Sequence, residues 1–368
     1  MTHSAPLSAP AGPPAAVKEV ATAVDDRLRR LFDEEEARWR SVDPRLAEAT
    51  DELRRMSTGG KRLRAAFCYW AWRGAHEGRD PAGSTGADRS LVIDAGTAFE
   101  LLQTFALIHD DIMDDAATRR SEQTIHTRQA ERLTEQGWRG EPRRYGEGVA
   151  ILLGDLSHVY ADRLVGPTPP AARRLWDELR IELNLGQYLD MRTAAAGEFD
   201  RAVAQRVATF KSALYTIVRP LQFGAALVVD DADPGLLDAL DAFGRPVGQA
   251  FQLRDDLLGV LGDADRVGKP VGHDLRDGKP TELVAVAAEA ADASQRVVLE
   301  TIGRPDLDDA GVSRLLEVLH ATGAIAEIER RIDELVEHAT GRAADLPFPP
   351  QIRQTLIDLA HYVAARSN

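Results

Sequence analysis

Residues 97–115 read TAFELLQTFALIHDDIMDD, an apolar run that ends in a cluster of carboxylates. Neither proline nor glycine interrupts the run, and its apolar content is too high for a surface loop, so we predict a helix. On a helix, Asp110 and Asp114 point the same way, and Asp111 lies on the flank of that face. Carboxylates at this spacing repel one another, which indicates a cation between them. Oxygen ligands suit a hard cation, and Mg²⁺ is the usual one where phosphate completes the coordination.

A solvated acidic helix end is the alternative interpretation, because acidic triplets are common. Two further features of the sequence favour a site. Arg119 and Arg120 follow within ten residues, and a second acidic pair, Asp255 and Asp256, lies far downstream in similarly apolar surroundings.

Composition restricts the class of protein. The chain has 368 residues, of which 44% are hydrophobic and 28% are charged, as is typical of a soluble globular protein. Its net charge of −14 argues against nucleic acid and anionic membrane as main partners. No apolar run approaches the length that we expect of a membrane span. The single cysteine, Cys68, excludes an intrachain disulfide and fits a reducing cytoplasm, so we expect a cytoplasmic protein.

The chain divides into a tail and a helical body. Residues 1–17 are rich in alanine and proline and lack the features of a signal peptide, which predicts a disordered tail. Residues 18–368 favour helix, show no convincing alternation of apolar and polar residues, and contain no linker between two cores. We therefore predict a single all-α domain. The predicted helices span about 18–40, 44–56, 62–76, 90–115, 123–136, 146–165, 170–196, 199–230, 235–261, 280–292, 309–340 and 350–366.

Two basic motifs suit phosphate. The first, TGGKRLR at residues 58–64, opens a predicted helix, where glycines permit close approach and free N–H groups attract an anion. Its Lys61 and Arg64 share one helical face. In the second, Arg119 and Arg120 carry guanidinium groups that bind phosphate oxygens bidentately. Taken singly, each motif is interpreted equally well as an ordinary loop with solvated or charge-balancing side chains.

Further polar residues interrupt apolar surroundings. The segment FQLRDD places Asp255 and Asp256 near the end of an apolar helix, and a glycine-rich loop with Lys269 and Lys279 follows. Such a loop suits closure over a phosphate, although an ordinary surface loop has the same composition. Lys211 lies in an apolar helix and must reach the surface or face a polar cavity. Gln187 and Asp190 share a helical face and fit a buried pair as well as a site.

In this order and at these separations, GGKRLR, LIHDDIMD with its arginine pair, GQxxD, FQLRDD and GK…GHDLRDGKPT resemble the motifs of the trans-isoprenyl diphosphate synthases, or polyprenyl synthetases. The resemblance covers about residues 50–285. It implies an all-α isoprenoid synthase fold, a helical bundle around a deep central cavity, in a homodimer. It also implies a prenyltransferase that joins isopentenyl diphosphate head to tail to an allylic diphosphate (dimethylallyl, geranyl or farnesyl). The expected cofactor is Mg²⁺, as three ions with bound diphosphate.

The resemblance assigns roles position by position. The metal ligands would be Asp110, Asp111, Asp114, Asp255 and Asp256. The allylic diphosphate would lie on Arg119, Lys211 with its neighbour Ser212, and Lys269. Isopentenyl diphosphate would lie on Lys61, Arg64, Gln103 and Arg120. Gln252 would line the cavity near the reacting carbons, and Lys279 would lie on the closing loop. The residues implied as catalytic are Asp110, Asp114, Lys211 and Asp255.

The sequence departs from the family pattern at five places. Gly259 stands where a third aspartate is frequent, and Ser121 and Gln123 stand where glycine and proline are frequent. Ser212 replaces the commoner threonine, and the stretch 137–148 looks inserted. None of these changes removes a charge that the mechanism requires.

Product length depends on residues one turn before Asp110. On an ideal wheel Ala106 lies on the metal-facing side, whereas Phe105 points well away. An aromatic residue five before the motif with a small residue four before it resembles the geranylgeranyl diphosphate synthases, which implies a C20 product with C15 (farnesyl diphosphate) as the runner-up. A class I terpene cyclase and a non-catalytic synthase subunit are further alternatives. GGKRLR counts against the cyclase, and the two intact acidic motifs count against the subunit.

Overall fold

The computed structural model describes residues 14–78, 86–197, 200–228, 233–262 and 271–365. Its elements in chain order are α1 (Ala15–Arg40), α2 (Pro44–Ser57), α3 (Leu63–Glu77), α4 (Gly86–Met113), β1 (Thr118–Arg119), β2 (Glu122–Gln123), α5 (Ile125–Glu135), α6 (Pro142–Val165), α7 (Pro170–Ala196), α8 (Arg201–Val207), a π-helix (Ala208–Val218), α9 (Arg219–Ala226), α10 (Pro234–Leu261), α11 (His273–Arg276), α12 (Glu282–Ala290), α13 (Ala293–Leu299), α14 (Asp309–Ala321), α15 (Ala324–Arg342), a 3₁₀-helix (Ala343–Asp345) and α16 (Pro350–Ala365). The prediction of an all-α fold is confirmed.

The boundaries differ from the sequence prediction where local geometry intervenes. Helix α1 begins at Ala15, inside the predicted tail, of which residues 1–13 lie outside the described part. The predicted helix 199–230 is three helical pieces, because a π-helix lies between α8 and α9. The predicted helix 309–340 is two helices, since Gly323 turns the chain with a φ of +74°. Helix α13 and the β1–β2 hairpin were not predicted.

The chain divides into two compact units. The first unit comprises Ala15–Arg174 with Phe223–Asp231, and the second comprises Leu175–Gln222 with the chain from residue 232 onward. This division does not test whether residues 18–368 form a single domain, so the single domain stays a prediction.

Helix α4 is the core of the first unit. It packs against α1, α3 and α6 and buries Phe99, Leu101 and Leu102. Its segment Arg89–Met113 is long and apolar enough to cross a bilayer, so the expectation that no run approaches that length was wrong. The most apolar window of this segment is 67% buried inside the protein, as in the core helix of a soluble protein.

Helix α10 is the core of the second unit. It packs against the π-helix, α15 and α16. Asp233 caps its N-terminus by accepting a hydrogen bond from the Gly235 N–H, and Pro234 follows in the first turn. The approach of the π-helix requires Gly248, because a Cβ there would lie 2.6 Å from the Cα of Ala213.

Candidate active site

The first acidic site comprises Asp110, Asp111 and Asp114 in the first unit. Asp110 and Asp111 lie in the last turn of α4, and the Asp114 N–H donates to the Asp110 carbonyl over 2.8 Å, which continues the helical path. Asp115 then takes a left-handed φ of +51° and turns the chain. The three carboxylates therefore stand at the end of a buried helix, as the spacing predicted.

Arg119 joins two of these carboxylates. Its Nε donates to Asp111 Oδ1 over 2.6 Å, and its Nη2 lies 3.4 Å from Asp110 Oδ2. Asp111 is buried, so this ion pair lies largely out of contact with solvent. The two carboxylates thus converge on one cation, which is the arrangement that a hard metal ion also requires.

A two-residue hairpin presents the arginine pair. Strands β1 and β2 pair Thr118 with Gln123 and Arg119 with Glu122. The turn residues Arg120 and Ser121 both have positive φ, +53° and +63°. A turn with two left-handed residues matches the twist of the flanking strands, but it favours glycine or asparagine. The glycine that is frequent at position 121 in the family therefore has a conformational reason.

Arg120 lies beside the glycine loop. Its Nη1 donates to the Thr58 carbonyl over 3.2 Å, and a Cβ on Gly60 would lie 3.6 Å from its Nη2. Desolvation lowers the pKa of Arg120, and the positive charges of Arg119 and Arg62 lower it further. Cations held this close together favour an anion between them.

Arg62 has a structural role in the loop. It is buried with a φ of +50°, and it pairs with Asp25 at 2.7 Å and Glu100 at 3.0 Å. Its Nη2 also donates to the Ser57 carbonyl over 2.7 Å. This network fixes the path of the GGKRLR loop.

The predicted ligands of isopentenyl diphosphate lie on elements that meet this loop. Lys61 precedes α3, Arg64 lies in its first turn, and Gln103 lies on α4, all three part-buried. Their roles stay predictions.

The second acidic site, Asp255 and Asp256, lies in the last two turns of α10 in the second unit. Gln252 Nε2 donates to Asp256 Oδ1 over 2.6 Å, and Arg254 Nε donates to the Ala364 carbonyl over 2.7 Å. Burial raises the pKa of Asp256 to about 7. Of the two carboxylates, the part-buried Asp255 is therefore the better candidate for a charged ligand.

The missing aspartate at position 259 has a structural explanation. A Cβ on Gly259 would lie 1.7 Å from Asp274 Oδ2, so the Asp274 carboxylate fills that space. Asp274 is buried, and it pairs with Lys279 Nζ at 3.1 Å and His273 Nε2 at 3.2 Å. No role was predicted for Asp274 from the sequence. The glycine one turn after Asp255, with an aspartate in the following loop, was the available signal.

Lys211 neither lies free on the surface nor stands alone. Its Nζ lies 2.7 Å from Asp190 Oδ2 of α7, and both side chains are mostly buried. The π-helix carries Lys211 and Ser212, and π-helical turns are frequent at functional sites. Gly186 of α7 permits the close approach of the π-helix, because a Cβ at this position would lie 2.7 Å from the backbone nitrogen of Lys211. Lys269 lies outside the described residues.

The donor set fits magnesium rather than a softer ion, because it consists of carboxylate oxygens without cysteine or histidine. Among the residues that the structure describes, no three His, Cys, Asp or Glu side chains form a metal-holding group by themselves. Oxygens from a diphosphate would therefore have to complete the coordination.

The fold and the motif order define a class of protein. Residues 44–319 match the family model of the polyprenyl synthetases, so the chain belongs to that family and has the isoprenoid synthase fold. It is accordingly a prenyltransferase that elongates trans-prenyl chains, as the resemblance implied.

Individual relatives are similar over most of their length. The geranylgeranyl pyrophosphate synthase of Corynebacterium glutamicum, solved in complex with isoprenyl diphosphate and magnesium, superposes with a TM-score of 0.87 at 32% identity, covering 95% of this chain and 99% of that one. The geranylgeranyl diphosphate synthase of Mycobacterium tuberculosis is 30% identical over 80% of this chain and 78% of its own length. The geranylfarnesyl diphosphate synthase of Aeropyrum pernix is also 30% identical, over 87% and 93%. Because relatives of equal identity carry different product names, similarity alone does not fix the product length.

Proposed function

We propose that the chain condenses isopentenyl diphosphate with an allylic diphosphate in the presence of Mg²⁺ and releases geranylgeranyl diphosphate, a C20 product. The observation that carries the reaction is the convergence of Asp110 and Asp111 on the guanidinium of Arg119 at the end of α4. The observation that carries the length is Phe105 five residues before Asp110, with the small Ala106 beside it.

The reaction breaks the C–O bond between the allylic group and its diphosphate, so negative charge develops on the leaving group. Mg²⁺, as three ions, would neutralise that charge. Asp110, Asp111, Asp114 and Asp255 would hold the ions. Arg119 would exchange its carboxylate partners for diphosphate oxygens, as its fork geometry allows.

The second substrate needs a site that is independent of metal. Lys61, Arg64, Gln103 and Arg120 would bind isopentenyl diphosphate, and the like charges around Arg120 favour an anion there. Lys211 and Lys269 would bind the allylic diphosphate. Apolar surroundings would protect the allylic cation from water.

We further propose a cytoplasmic homodimer. On α6, Ile151, Leu152 and Val159 are exposed, and on α7, Leu185 and Tyr188 are exposed. Exposed apolar side chains at helical spacing suit burial against a second copy of the chain.

The test incubates purified protein and Mg²⁺ with labelled isopentenyl diphosphate and, separately, dimethylallyl, geranyl and farnesyl diphosphate. Chromatography of the dephosphorylated products then gives their lengths. A C20 alcohol from all three primers is the expected result. Accumulation of C15 from dimethylallyl and geranyl diphosphate would replace the C20 proposal by the farnesyl one. Cyclised hydrocarbons, or no product, would contradict elongation itself.

A further inference from the structure

The β1–β2 hairpin, which presents Arg119 and Arg120, is too short to be stable by itself. Each of its strands has two residues, and both turn residues, Arg120 and Ser121, have positive φ. A lone two-stranded hairpin is at best marginally stable, and left-handed residues other than glycine strain its turn. Contacts at the base of the hairpin must therefore keep it in place.

Thr124 lies at that base, directly after β2, as the N-cap residue of α5. It is buried. An N-cap threonine usually accepts a hydrogen bond from an N–H of the first helical turn, but the Thr124 side chain makes no such bond. Its Oγ1 instead donates to the Ala116 carbonyl over 2.8 Å and lies 3.4 Å from the Ala117 carbonyl. The hydroxyl is therefore directed to the chain that enters the hairpin and not to α5.

Three further hydrogen bonds connect this contact to the acidic motif and to α5. The Thr124 N–H donates to the Ala117 carbonyl over 3.0 Å, and the Ala116 N–H donates to the Asp111 carbonyl over 2.9 Å. Thr127 Oγ1 lies 3.0 Å from Thr124 Oγ1. Thr127 is the donor there, because the single hydroxyl proton of Thr124 is already donated to Ala116. The base of the hairpin is thus bonded to the end of α4 and to the first turn of α5.

The ion pair of Arg119 with Asp111 is a second tie of the hairpin, but substrate binding would break it. In the proposed reaction Arg119 exchanges its carboxylate partners for diphosphate oxygens. The hydrogen bonds of Thr124 do not involve Arg119, so they persist through that exchange. Arg128 Nη1 holds the β2 side, since it donates to the Gln123 carbonyl over 3.0 Å. The Thr124 hydroxyl holds the side that comes from the acidic motif.

We propose that the hydroxyl of Thr124 positions Arg119 and Arg120 for the two diphosphates. Thr124 acts through the arginine pair and is therefore a positioning residue. The inference rests on the proposed function, which assigns Arg119 to the allylic diphosphate and Arg120 to isopentenyl diphosphate. It adds that one buried hydroxyl affects both sites together, because both guanidinium groups project from the same hairpin.

The test uses four single variants. Thr124→Val keeps the shape of the side chain without the hydroxyl, and Thr124→Ala is a second variant without it, in case the first fails to fold. Thr124→Ser restores the hydroxyl. Thr97→Val is the matched control, because Thr97 is also buried and its Oγ1 donates over 2.7 Å to the Ile93 carbonyl of its own helix, α4. Melting temperatures identify the variants that are folded.

Two measurements are made on wild type and on each folded variant. Limited digestion with trypsin, followed by mass spectrometry, gives the rate of cleavage after Arg119 and Arg120 and does not depend on activity. Steady-state incorporation of labelled isopentenyl diphosphate in the presence of Mg²⁺ gives kcat/KM for isopentenyl diphosphate and for geranyl diphosphate.

Trypsin should cleave the arginine pair about two- to twelvefold faster in the two variants without the hydroxyl, the range expected for loss of one hydrogen bond. The value of kcat/KM should fall by a similar factor for both substrates. Thr124→Ser and Thr97→Val should stay near wild type in both measurements.

Failure of this inference differs from failure of the proposed function. If the folded variants without the hydroxyl show unchanged cleavage or unchanged kcat/KM, the role of Thr124 is wrong and the proposed function stands. A loss for one substrate alone would also contradict control of both sites by one hydroxyl. If wild type elongates no prenyl chain, the proposed function is wrong, and the inference that rests on it is wrong as well.

Discussion

At the scale of single residues, Ser121 is constrained by its backbone conformation and not by contact with a substrate. With Arg120 it forms a turn in which two side-chain-bearing residues have left-handed φ values. A non-glycine residue in this region is destabilised by about 1–2 kcal/mol relative to glycine. The position of the arginine pair therefore depends on a strained turn.

Ser121→Gly should raise the free energy of unfolding by about 1 kcal/mol, because glycine adopts this φ without strain. Urea unfolding at equilibrium measures the change. The matched control is Ser313→Gly on the exposed face of α14, where the same replacement removes helix propensity and should destabilise. Equal destabilisation by both changes would contradict a strained turn.

Asp256 predicts a dependence of stability on pH. Its pKa in the folded protein is about 7, above the ordinary value of 3.8, because it is buried. The fold therefore favours the protonated form. Its contribution to stability is full below about pH 4 and is lost as the pH rises through about 7.

Asp256→Asn removes this titration while keeping the shape of the side chain. The stability of wild type relative to Asp256→Asn should accordingly fall between about pH 4 and 7 and level off above pH 7, where Asp256 is ionised in both the folded and the unfolded state. Urea unfolding across that range measures it. A difference that is constant with pH would mean that Asp256 titrates normally.

At the scale of helices and loops, the sequence predicted the parts whose apolar pattern is continuous. Helix α4 with its terminal carboxylates and helix α10 with FQLRDD both lie where they were predicted. The hairpin was not predicted, because its two-residue strands are too short for an alternating pattern and its turn lacks glycine. The π-helix was not predicted, because its side chains are as apolar as those of an α-helix. Gly186 and Gly248 leave the space in which α7 and α10 approach the π-helix closely.

Helix spacing alone did not place Asp274 beside α10, because Asp274 lies in α11, beyond the loop that follows α10. The structure predicts that Gly259→Asp, which restores the family's frequent residue, places a Cβ on the Asp274 carboxylate. We expect lower stability and lower activity from this variant. Combining it with Asp274→Gly should recover much of both, because the clash and the excess charge are removed together. Thermal unfolding with and without Mg²⁺ and inorganic diphosphate measures the effect. No recovery in the double variant would contradict the exchange.

At the scale of the whole molecule, the proposed homodimer rests on exposed apolar side chains of α6. Leu152 is 69% exposed. Val297, on α13, is 64% exposed and therefore serves as the matched control for a substitution at Leu152. Leu152→Glu should shift the protein towards monomer in light scattering, because a charge would be buried in the interface. Val297→Glu should leave the oligomer unchanged. Dimers that persist in Leu152→Glu would place the interface elsewhere.

We propose that the carboxylates at the end of α4 drive prenyl transfer with Mg²⁺. The most direct measurement is the rate of incorporation of labelled isopentenyl diphosphate in Asp110→Ala, compared over a Mg²⁺ titration with wild type and with Asp115→Asn. Asp115 is the exposed acid just beyond the site. Asp110→Ala should lose about two to three orders of magnitude in turnover at unchanged melting temperature, while Asp115→Asn should stay near wild type. Near-normal turnover in a folded Asp110→Ala protein would contradict a role of Asp110 in prenyl transfer.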